Sequence, residues 1–347
     1  MKPGRPLDEL AREIMRQAET KKDFLAPSQQ LRMNASPLQL TVGEQGAFDV
    51  KPVAHQQIGD RLGIPKRYYD KCLADSPGLL ADNVNHWLAK RKESRLVRCL
   101  DGNVRAFLSD SYRPLDNFDL AEAVFPALKE VQAEVISADV TDTRFYIKAV
   151  TPRLEGEVRV GDTVQGGLAI FNSEVGLGSL RIEHLLYRLV CLNGMIAAKL
   201  LRKTHVGQAH RGLDELSNAV EHWQTDTQRA SQTAFWLQVR DTIKASLSQE
   251  SFDDLLSRVR GAADDPIQIN PIKAVELLAK QHTLSDEEQG GVLRHLMTNG
   301  DMTRWGLTNA ITRTSQDVES YDRATELEVL GGKIIELPRT EWDRIAA

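Results

Sequence analysis

The first 200 residues carry short apolar runs separated by polar turns, a pattern typical of β-strands interrupted by amphipathic helices. Strand-like runs fall at 31–42, 47–53, 96–100, 104–108, 134–139, 143–151, 163–171 and 179–182. Helical periodicity falls at 6–20, 55–63, 66–74, 79–89 and 118–131. Short turns join most neighbouring strands, so hairpins outnumber crossovers. The pattern therefore predicts an α+β fold with a mainly antiparallel sheet core and flanking helices.

An apolar run at 184–195 follows these strands and is long enough for a helix. Beyond Lys199, apolar residues recur at alternating spacings of three and four between positions 213 and 237, which predicts one long amphipathic helix. Its apolar seam would pack along another helix of the chain or along a second subunit, and both alternatives stay open. Further helices are predicted at 255–260, 272–281, 285–300 and 303–318, and a closing strand at 330–337.

These changes of pattern divide the chain into three parts. They are an N-terminal helix (1–30), an α+β core with a basic hairpin (31–205) and a mostly helical region with an acidic C-terminal part (206–347). Helix starts are signalled locally. Ser251 with Asp254 resembles a capping box, and Asp116 or Asn117 is placed to cap the helix that follows it.

Composition is that of an ordinary soluble protein, with 41% hydrophobic and 27% charged residues. The net charge of −5 hides an asymmetry, because residues 250–347 carry 18 acidic and 11 basic side chains. Residues 86–113, in contrast, carry seven cations against three carboxylates. A global argument for a polyanionic partner fails, but a local one survives at this basic segment. The acidic C-terminal part is an alternative, internal partner for it.

The chain shows no apolar run long enough to span a bilayer and no secretory leader. Its cysteines, Cys72, Cys99 and Cys191, are widely spaced and odd in number, which favours reduced thiols over a disulfide framework. These features predict a cytoplasmic protein that does not enter a membrane.

The clearest predicted hairpin lies inside the basic segment, where Asp101-Gly102-Asn103 separates two strand-like runs. Arginines in both strands would form a cationic ribbon that follows phosphates. Two cations beside two tyrosines at 66–69 add groups that contact phosphates and stack on bases. The predicted nucleic-acid-binding residues are Lys66, Arg67, Tyr68, Lys90, Arg91, Lys92, Arg95, Arg98, Arg105, Tyr112 and Arg113. A solvated face with inward-packed tyrosines is the alternative explanation.

A second candidate lies in the glycine-punctuated stretch at 172–178. Asn172, Ser173 and Glu174, followed by Gly176, place more polar side chains between two apolar strands than a turn requires. We interpret these four residues as a rigid turn with a role beyond its own backbone. The alternative is that Asn and Ser only satisfy local turn amides.

No catalytic motif stands out: the chain lacks a Walker loop, a GxGxxG after a strand, an HExxH and a paired CxxC. His184 and Cys191 would lie two turns apart on one helix, too far for a thiolate–imidazole pair. We therefore expect no metal site and no cofactor, and a binding protein rather than an enzyme. A metal-dependent nuclease is the alternative, with carboxylates at hairpin ends as ligands. These carboxylates are Asp139, Asp142, Glu155 and Glu157.

Several blocks of the sequence together resemble the phage/plasmid-like protein family, domain of unknown function 932. The blocks are NVNHWL at 83–88, RAFLSDSYRPLDN at 105–117, NSEVG at 172–176, YRLVCLNGM at 187–195 and WGLTNAIT at 305–312. The resemblance covers about residues 20–335. It implies a mobile-element or prophage setting and carries no catalytic residue over to this chain.

Together these features predict a phage- or plasmid-type protein that binds nucleic acid, single-stranded DNA foremost, in annealing or recombination, and that forms a homo-oligomer. A basic antiparallel sheet followed by helices fits the general design of single-strand annealing proteins. The alternatives are a metal-dependent enzyme acting on nucleic acid and a protein-interaction module that binds a host replication or defence factor.

Overall fold

The computed structural model describes residues 1–203 and 225–346. Within these residues the strands form two sheets, and helices pack on both of them. The prediction of an α+β fold with mainly antiparallel strands and a helical C-terminal part is confirmed. None of the helices in the described ranges is long and apolar enough to cross a membrane.

The first sheet has the strand order β1-β5-β6-β4-β3-β2. Its strands are β1 (Lys22–Pro27), β2 (Leu31–Met33), β3 (Gln39–Val42), β4 (Ala47–Val50), β5 (Ser94–Leu100) and β6 (Asn103–Ser109). Strands β4 and β6 run parallel, and the other neighbours are antiparallel. Its accompanying helices are a short 3₁₀ turn (Ser28–Gln30), α2 (Pro52–Leu62), α3 (Lys66–Asp75) and α4 (Pro77–Lys90), whereas α1 (Leu7–Thr20) packs elsewhere. Because β1 pairs with β5, the boundary predicted at residue 30 falls inside this sheet.

The core of the first sheet lies between its strands and the helices α2, α3 and α4. Ile58 of α2, Leu80 and Val84 of α4 and Val97 of β5 are completely buried in it. Burying such side chains stabilises the fold by about 1.5–3 kcal/mol each. Helices α2, α3 and α4 thus pack one face against the first sheet and expose the opposite face to solvent.

The second sheet is an antiparallel meander in the order β11-β10-β9-β8-β7. Its strands are β7 (Glu134–Val140), β8 (Phe145–Glu157), β9 (Thr163–Asn172), β10 (Leu180–Arg188) and β11 (Asn193–Lys203). Helix α5 (Asn117–Glu130) connects the two sheets along the chain.

Helices of the C-terminal part cover both faces of the second sheet. They are α6 (Thr225–Ser246), α7 (Gln249–Ala263), α8 (Pro271–His282), α9 (Asp286–Asn299), α10 (Arg304–Thr314), α11 (Tyr321–Ile335) and α12 (Arg339–Ala346). Helices α1, α5, α6 and α7 share a core with one face, whereas Tyr321 of α11 packs with Tyr146 and Phe171 on the other. Helices α8 to α12 also form a core of their own around Trp342.

The helix predicted at 184–195 is wrong, because this run forms β10, a turn and the start of β11. Tyr187 lies opposite Gly194, and Leu192 adopts a left-handed conformation with φ 50° in the turn. Both faces of this sheet are covered, so its strands read as continuous apolar runs rather than alternating ones. Length alone could not separate such a hairpin from a helix.

The closing strand predicted at 330–337 is also wrong, since residues up to Ile335 belong to α11. A Cβ added at Gly332 would lie 1.9 Å from the carbonyl oxygen of Ile196 on β11, and one at Gly331 would lie 2.5 Å from Thr312 on α10. The glycine pair therefore permits a helix to approach its neighbours closely.

Two helix predictions need revision as well. Ser248, not Ser251, caps α7: its side chain accepts the backbone N–H of Ser251. Most of the seam predicted at 213–237 lies outside the described residues. In the described part, Leu237 is 44% exposed, while Val239 and Ile243 of the same helix are fully buried. At the C-terminal end of the seam, packing within the chain therefore uses a neighbouring face of α6, and the alternative that the seam packs along a second subunit stays a prediction.

Candidate nucleic-acid interface

The predicted hairpin is confirmed as β5 and β6, with register Leu96 to Leu108 and Val97 to Phe107. Asp101 and Gly102 at its tip both adopt positive φ, 51° and 75°. Two successive left-handed residues are what a two-residue hairpin turn requires. The sequence thus predicts the backbone of this hairpin correctly.

Arg98 lies on β5 and is completely buried, with 0% of its surface exposed. Its Nε donates to Asp23 Oδ1 at 2.9 Å and its Nη2 to Asp116 Oδ1 at 2.7 Å. Its Nη1 donates to the backbone carbonyl of Glu174 at 2.9 Å, which ties the first sheet to the loop after β9. Burial alone would raise the pKa of Asp116, but the Arg98 and Lys21 cations hold that pKa below its ordinary value of 3.8.

Arg105 lies on β6 and pairs with the same loop. Its Nη1 contacts Glu174 Oε2 at 2.7 Å, while Glu174 Oε1 accepts the backbone N–H of Asn117 at 2.6 Å. Glu174 therefore caps the first turn of α5, the role predicted for Asp116 or Asn117. Asp116 does not fill this role because its carboxylate holds Arg98 instead.

These contacts form one connected set of charges between the two sheets. We call it the junction network; its members are Lys21, Asp23, Arg98, Arg105, Asp116 and Glu174. Its three cations face three carboxylates, so it is neutral as a whole. Buried charges require this pairing, since an unpaired one would cost several kcal/mol.

Arg95 and Tyr112, also predicted around the hairpin, are buried as well. Arg95 is paired with Glu93. Tyr112 is buried too, and its hydroxyl donates to the carbonyl of Ser173 at 3.3 Å. The expectation of a solvent-facing ribbon is therefore wrong for the hairpin arginines, and the Tyr112 ring is not placed to stack on a base. Arg113 is exposed, in the loop that leads to α5.

The polar side chains of the 172–178 turn also belong to the region between the sheets. Asn172 Nδ2 donates to the carbonyl of Leu115 at 2.7 Å and to Asn117 Oδ1 at 2.8 Å. Ser173 Oγ donates to the carbonyl of Thr143 at 2.8 Å. These partners are distant in sequence, so the turn does more than satisfy its own amides.

Gly176 fixes the position of this turn against the first sheet. It has φ 76°, and a Cβ there would lie 2.7 Å from Leu108 of β6. Gln57 Nε2 of α2 donates to the carbonyl of Val175 at 2.8 Å. These contacts indicate that the turn has a structural role in joining the two sheets.

Other predicted residues lie on the surface of α3 and α4. Tyr68 is 42% exposed and Trp87 is 40% exposed. Asn83 Nδ2 donates to the Tyr68 hydroxyl at 3.3 Å, and Trp87 follows Asn83 by one helical turn. Lys90 Nζ lies 5.1 Å from the centre of the Trp87 ring, within the range of a cation–π contact.

We call this surface the α3–α4 face. It consists of Lys66, Arg67, Tyr68, Asn83, Trp87, Lys90, Arg91 and Lys92, which are exposed apart from the half-buried Asn83 and Arg91. In the helix predicted at 79–89, Leu88 enters the core, whereas Trp87 is 40% exposed. The signal that sequence reasoning missed is the spacing of Asn83, Trp87 and Lys90, which places all three on one side of α4.

The base of this face is anchored by a buried aromatic pair. Tyr69 of α3 is 2% exposed, and its hydroxyl lies 2.9 Å from His55 Nδ1 of α2. Burial lowers the pKa of His55 to about 4, so the ring is neutral at pH 7. The anchor leaves the adjacent Tyr68 pointing outward.

The acidic C-terminal part docks away from the basic hairpin. Lys148 of β8 is fully buried and donates to Glu328 Oε2 of α11 at 2.6 Å and to the Thr325 hydroxyl at 2.9 Å. Burial lowers the pKa of Lys148 despite the nearby carboxylate. The hairpin cations are neutralised within the junction network and by Glu93.

The carboxylates of the alternative nuclease prediction do not converge. Asp139 pairs with Arg5, and Glu155 accepts from Gln165 at 3.0 Å. In the described part of the chain, no group of three or more His, Cys, Asp or Glu side chains is placed to hold a metal ion.

Comparison with known proteins gives one match. A family model described as Domain of unknown function (DUF932) matches residues 106–329, which is more than half of the chain. No curated protein and no solved structure matches.

Proposed function

Since the chain belongs to the DUF932 family, whose description assigns no activity, we propose from its side-chain geometry that it binds single-stranded nucleic acid through the α3–α4 face. Bases stack on Tyr68 and Trp87, and Lys66, Arg67, Lys90, Arg91 and Lys92 contact phosphates. The observation that carries this proposal is the pair of exposed rings, Tyr68 bonded to Asn83 and Trp87 one helical turn beyond Asn83, with a cation over the Trp87 ring.

Physical chemistry supports this use of the surface. A large aromatic side chain left in water forgoes the free energy of burial, so adjacent exposed rings on one face call for a partner. Stacking is indifferent to base identity, because every base has a π-face, and neighbouring cations follow the backbone. Between positions 66 and 92 the chain carries six cations and three carboxylates, so the local charge favours a polyanion.

The proposal extends to the setting. The protein acts in the cytosol as a phage- or plasmid-borne factor in strand annealing or recombination, and it self-associates. The resemblance of its sequence blocks to the phage/plasmid-like family supports the setting. Light scattering across micromolar concentrations tests self-association, which a mass near 38.8 kDa throughout would contradict.

The direct test measures binding of a fluorescent oligodeoxythymidine by anisotropy. Trp87→Ala and Tyr68→Ala should each weaken binding by about 1–3 kcal/mol, roughly tenfold to a hundredfold. Met15→Ala is the matched control, since Met15 is 56% exposed on α1, away from this face. Unchanged affinity in both aromatic variants, with unchanged melting temperature, would refute the proposal. Oligouridine in parallel decides between DNA and RNA.

A further inference from the structure

A second polar site lies beside the second sheet, away from the α3–α4 face. It begins with a recess of about 220 Å³ next to the 172–178 turn. Arg144 and Arg181 line it together with Ser173, Gly178 and Ser179. Among the described residues that line this recess there is no carboxylate. A small space with two guanidinium groups and hydroxyls is suited to an anion.

The two arginines are held in place with donors left for a ligand. The Arg181 guanidinium carbon lies 4.4 Å from the centre of the Phe171 ring, and Nη1 contacts Glu183 at 3.1 Å. Stacking fixes the plane of a guanidinium while its N–H donors point along that plane. Arg144 contacts the Tyr146 hydroxyl and makes two further, long contacts, 3.8 Å to Glu326 and 3.4 Å to the carbonyl of Leu177. Contacts of this length are weak, so a ligand anion would displace them readily.

The same two arginines also line an adjoining groove of about 350 Å³, beside helix α11. Leu284 and Leu330 give it apolar walls, and His282 lies there with a buried Nε2 that has no hydrogen-bond partner. Burial lowers the pKa of His282, so its ring is neutral and one nitrogen is able to accept. A volume of about 300–1,000 Å³ is typical of small-ligand sites. This groove combines its apolar walls with several charged side chains, Arg323 and Lys333 among them.

Carboxylates also line the groove and must be accounted for. Asp322 accepts hydrogen bonds from Thr143 at 2.5 Å and from Tyr146 at 2.9 Å, and Glu326 pairs with Arg323 at 2.9 Å. Both acids belong to α11 and already have partners. The recess is therefore the cationic end of the site, and the groove carries side chains of both charges.

We propose that this site binds a nucleoside phosphate. The phosphate enters the recess between Arg144 and Arg181, and the base lies in the groove against the leucines, with a hydrogen bond to His282. The polarity of the site matches such a ligand. The recess binds the negatively charged phosphate, and the groove binds the base, a flat group with polar edges. This site is distinct from the α3–α4 face, and neither proposal depends on the other.

The test is calorimetric titration of the full chain with AMP, adenosine and inorganic phosphate at low salt. AMP should bind, and adenosine should bind at least about tenfold more weakly, because it lacks the charged group. Arg144→Ala and Arg181→Gln should each weaken AMP binding about tenfold to a hundredfold. Two variants are needed because Arg181 also pairs with the buried Glu183; melting temperatures identify a folding defect. His282→Ala should weaken AMP but leave inorganic phosphate unchanged.

Arg153→Ala is the matched control, because Arg153 is an exposed arginine of β8 outside the site. Equal affinity for AMP and adenosine, equal weakening in the Arg144 and Arg153 variants, or no AMP binding at millimolar concentration would each overturn the proposal. The phosphate could come from a free nucleotide or from the end of a strand, and oligodeoxythymidine with and without a 5′-phosphate distinguishes these two sources. Binding of the phosphorylated strand end alone, dependent on Arg144, would overturn the free nucleotide as ligand. Persistence of Trp87-dependent oligonucleotide binding would leave the proposed function intact.

Discussion

The β5–β6 hairpin and the α3–α4 face carry the same kinds of residue, and the fold uses them in opposite ways. Arg98 and Arg105 of the hairpin are buried and paired with carboxylates from loops and from β1. Lys90 and Lys92, a few positions earlier, are exposed beside an exposed tryptophan. One set of cations holds two sheets together, and the other is available to a partner.

The difference shows what a local charge count can establish. Seven cations against three carboxylates between positions 86 and 113 indicate that an anion must be nearby. The count does not say whether that anion is a ligand or a carboxylate brought in by the fold. Asp23 lies 75 residues from Arg98 along the chain, and Glu174 lies 69 residues from Arg105. Only the tertiary structure brings them together.

The largest effect expected from this comparison follows the removal of Arg98. Arg98→Met removes the cation that Asp23 and Asp116 share, which leaves Asp23 without its arginine and Asp116 with Lys21 alone. Breaking a buried ion pair in this way costs about 3–5 kcal/mol. Denaturant unfolding should show that decrease in stability, whereas the exposed Arg113→Met should stay within about 0.5 kcal/mol of the parent protein. Equal stability of the two variants would mean that the junction network does not hold the sheets together.

Much of the local structure was predictable from the sequence because local signals determine it. The hairpin tip at Asp101-Gly102 occurs as predicted, and the helix predicted at 285–300 begins with a capping box of Ser285 and Glu288. Short-range turn chemistry and caps act within a few residues, so they need no tertiary information. These elements anchor the parts of the fold that sequence analysis describes correctly.

The errors arise where tertiary contacts decide. The run at 184–195 becomes strands because helices cover both faces of its sheet, and the Gly331–Gly332 pair serves a close helix approach. Trp87 is exposed although its helix is amphipathic, since the neighbouring Leu88 fills the core position. The candidate site was predicted in part: the exposed cations and Tyr68 remain, and the buried arginines are removed from it.

Lowering the pH should destabilise the two regions in turn, because His55 below the α3–α4 face and Asp116 in the junction network titrate in different pH ranges. His55 has its pKa lowered by burial from 6.5 to about 4, so the folded state binds fewer protons between these values. The contribution of neutral His55 to the free energy of unfolding is fully present above pH 6.5. It is lost as the pH falls toward 4, by at most about 3 kcal/mol. Asp116 has a pKa below 3.8, so its contribution persists until the pH falls below that value. As the pH falls, the contact between His55 of α2 and Tyr69 of α3 should therefore weaken before the junction network does.

Unfolding free energies at pH 7.5, 5.5 and 4.5 check this order, because these values run from above the His55 range into it and stay above the range of Asp116. His55→Gln keeps a hydrogen-bonding group for Tyr69 but cannot protonate, so its stability should vary less over this range. Asp116→Asn should instead keep the slope of the parent protein above pH 4. Identical pH dependence in the parent and the His55 variant would place the acid-sensitive group elsewhere.

The smallest change in stability, and the sharpest contrast between the two regions, is expected at the end of α4. Replacing Lys90, Arg91 and Lys92 by Ala removes cations that are exposed or half-buried, so each change should cost no more than about 0.5 kcal/mol. If they bind phosphates, single-strand affinity should fall irrespective of base sequence. The slope of log affinity against log salt should flatten by about 0.7 for each phosphate that is no longer neutralised.

A charge-matched control decides whether this effect is local. Replacing Arg113, Lys129 and Arg153 by Ala removes the same charge from exposed positions off the α3–α4 face. Long-range attraction would weaken equally in both triple variants, because it depends on net charge and distance. Direct phosphate binding would flatten the salt slope only in the α4 variant. Equal slopes in the two variants and the parent would mean that the strand's phosphates do not bind at this face, and the exposed rings would then have to bind a partner that carries no regular array of charge.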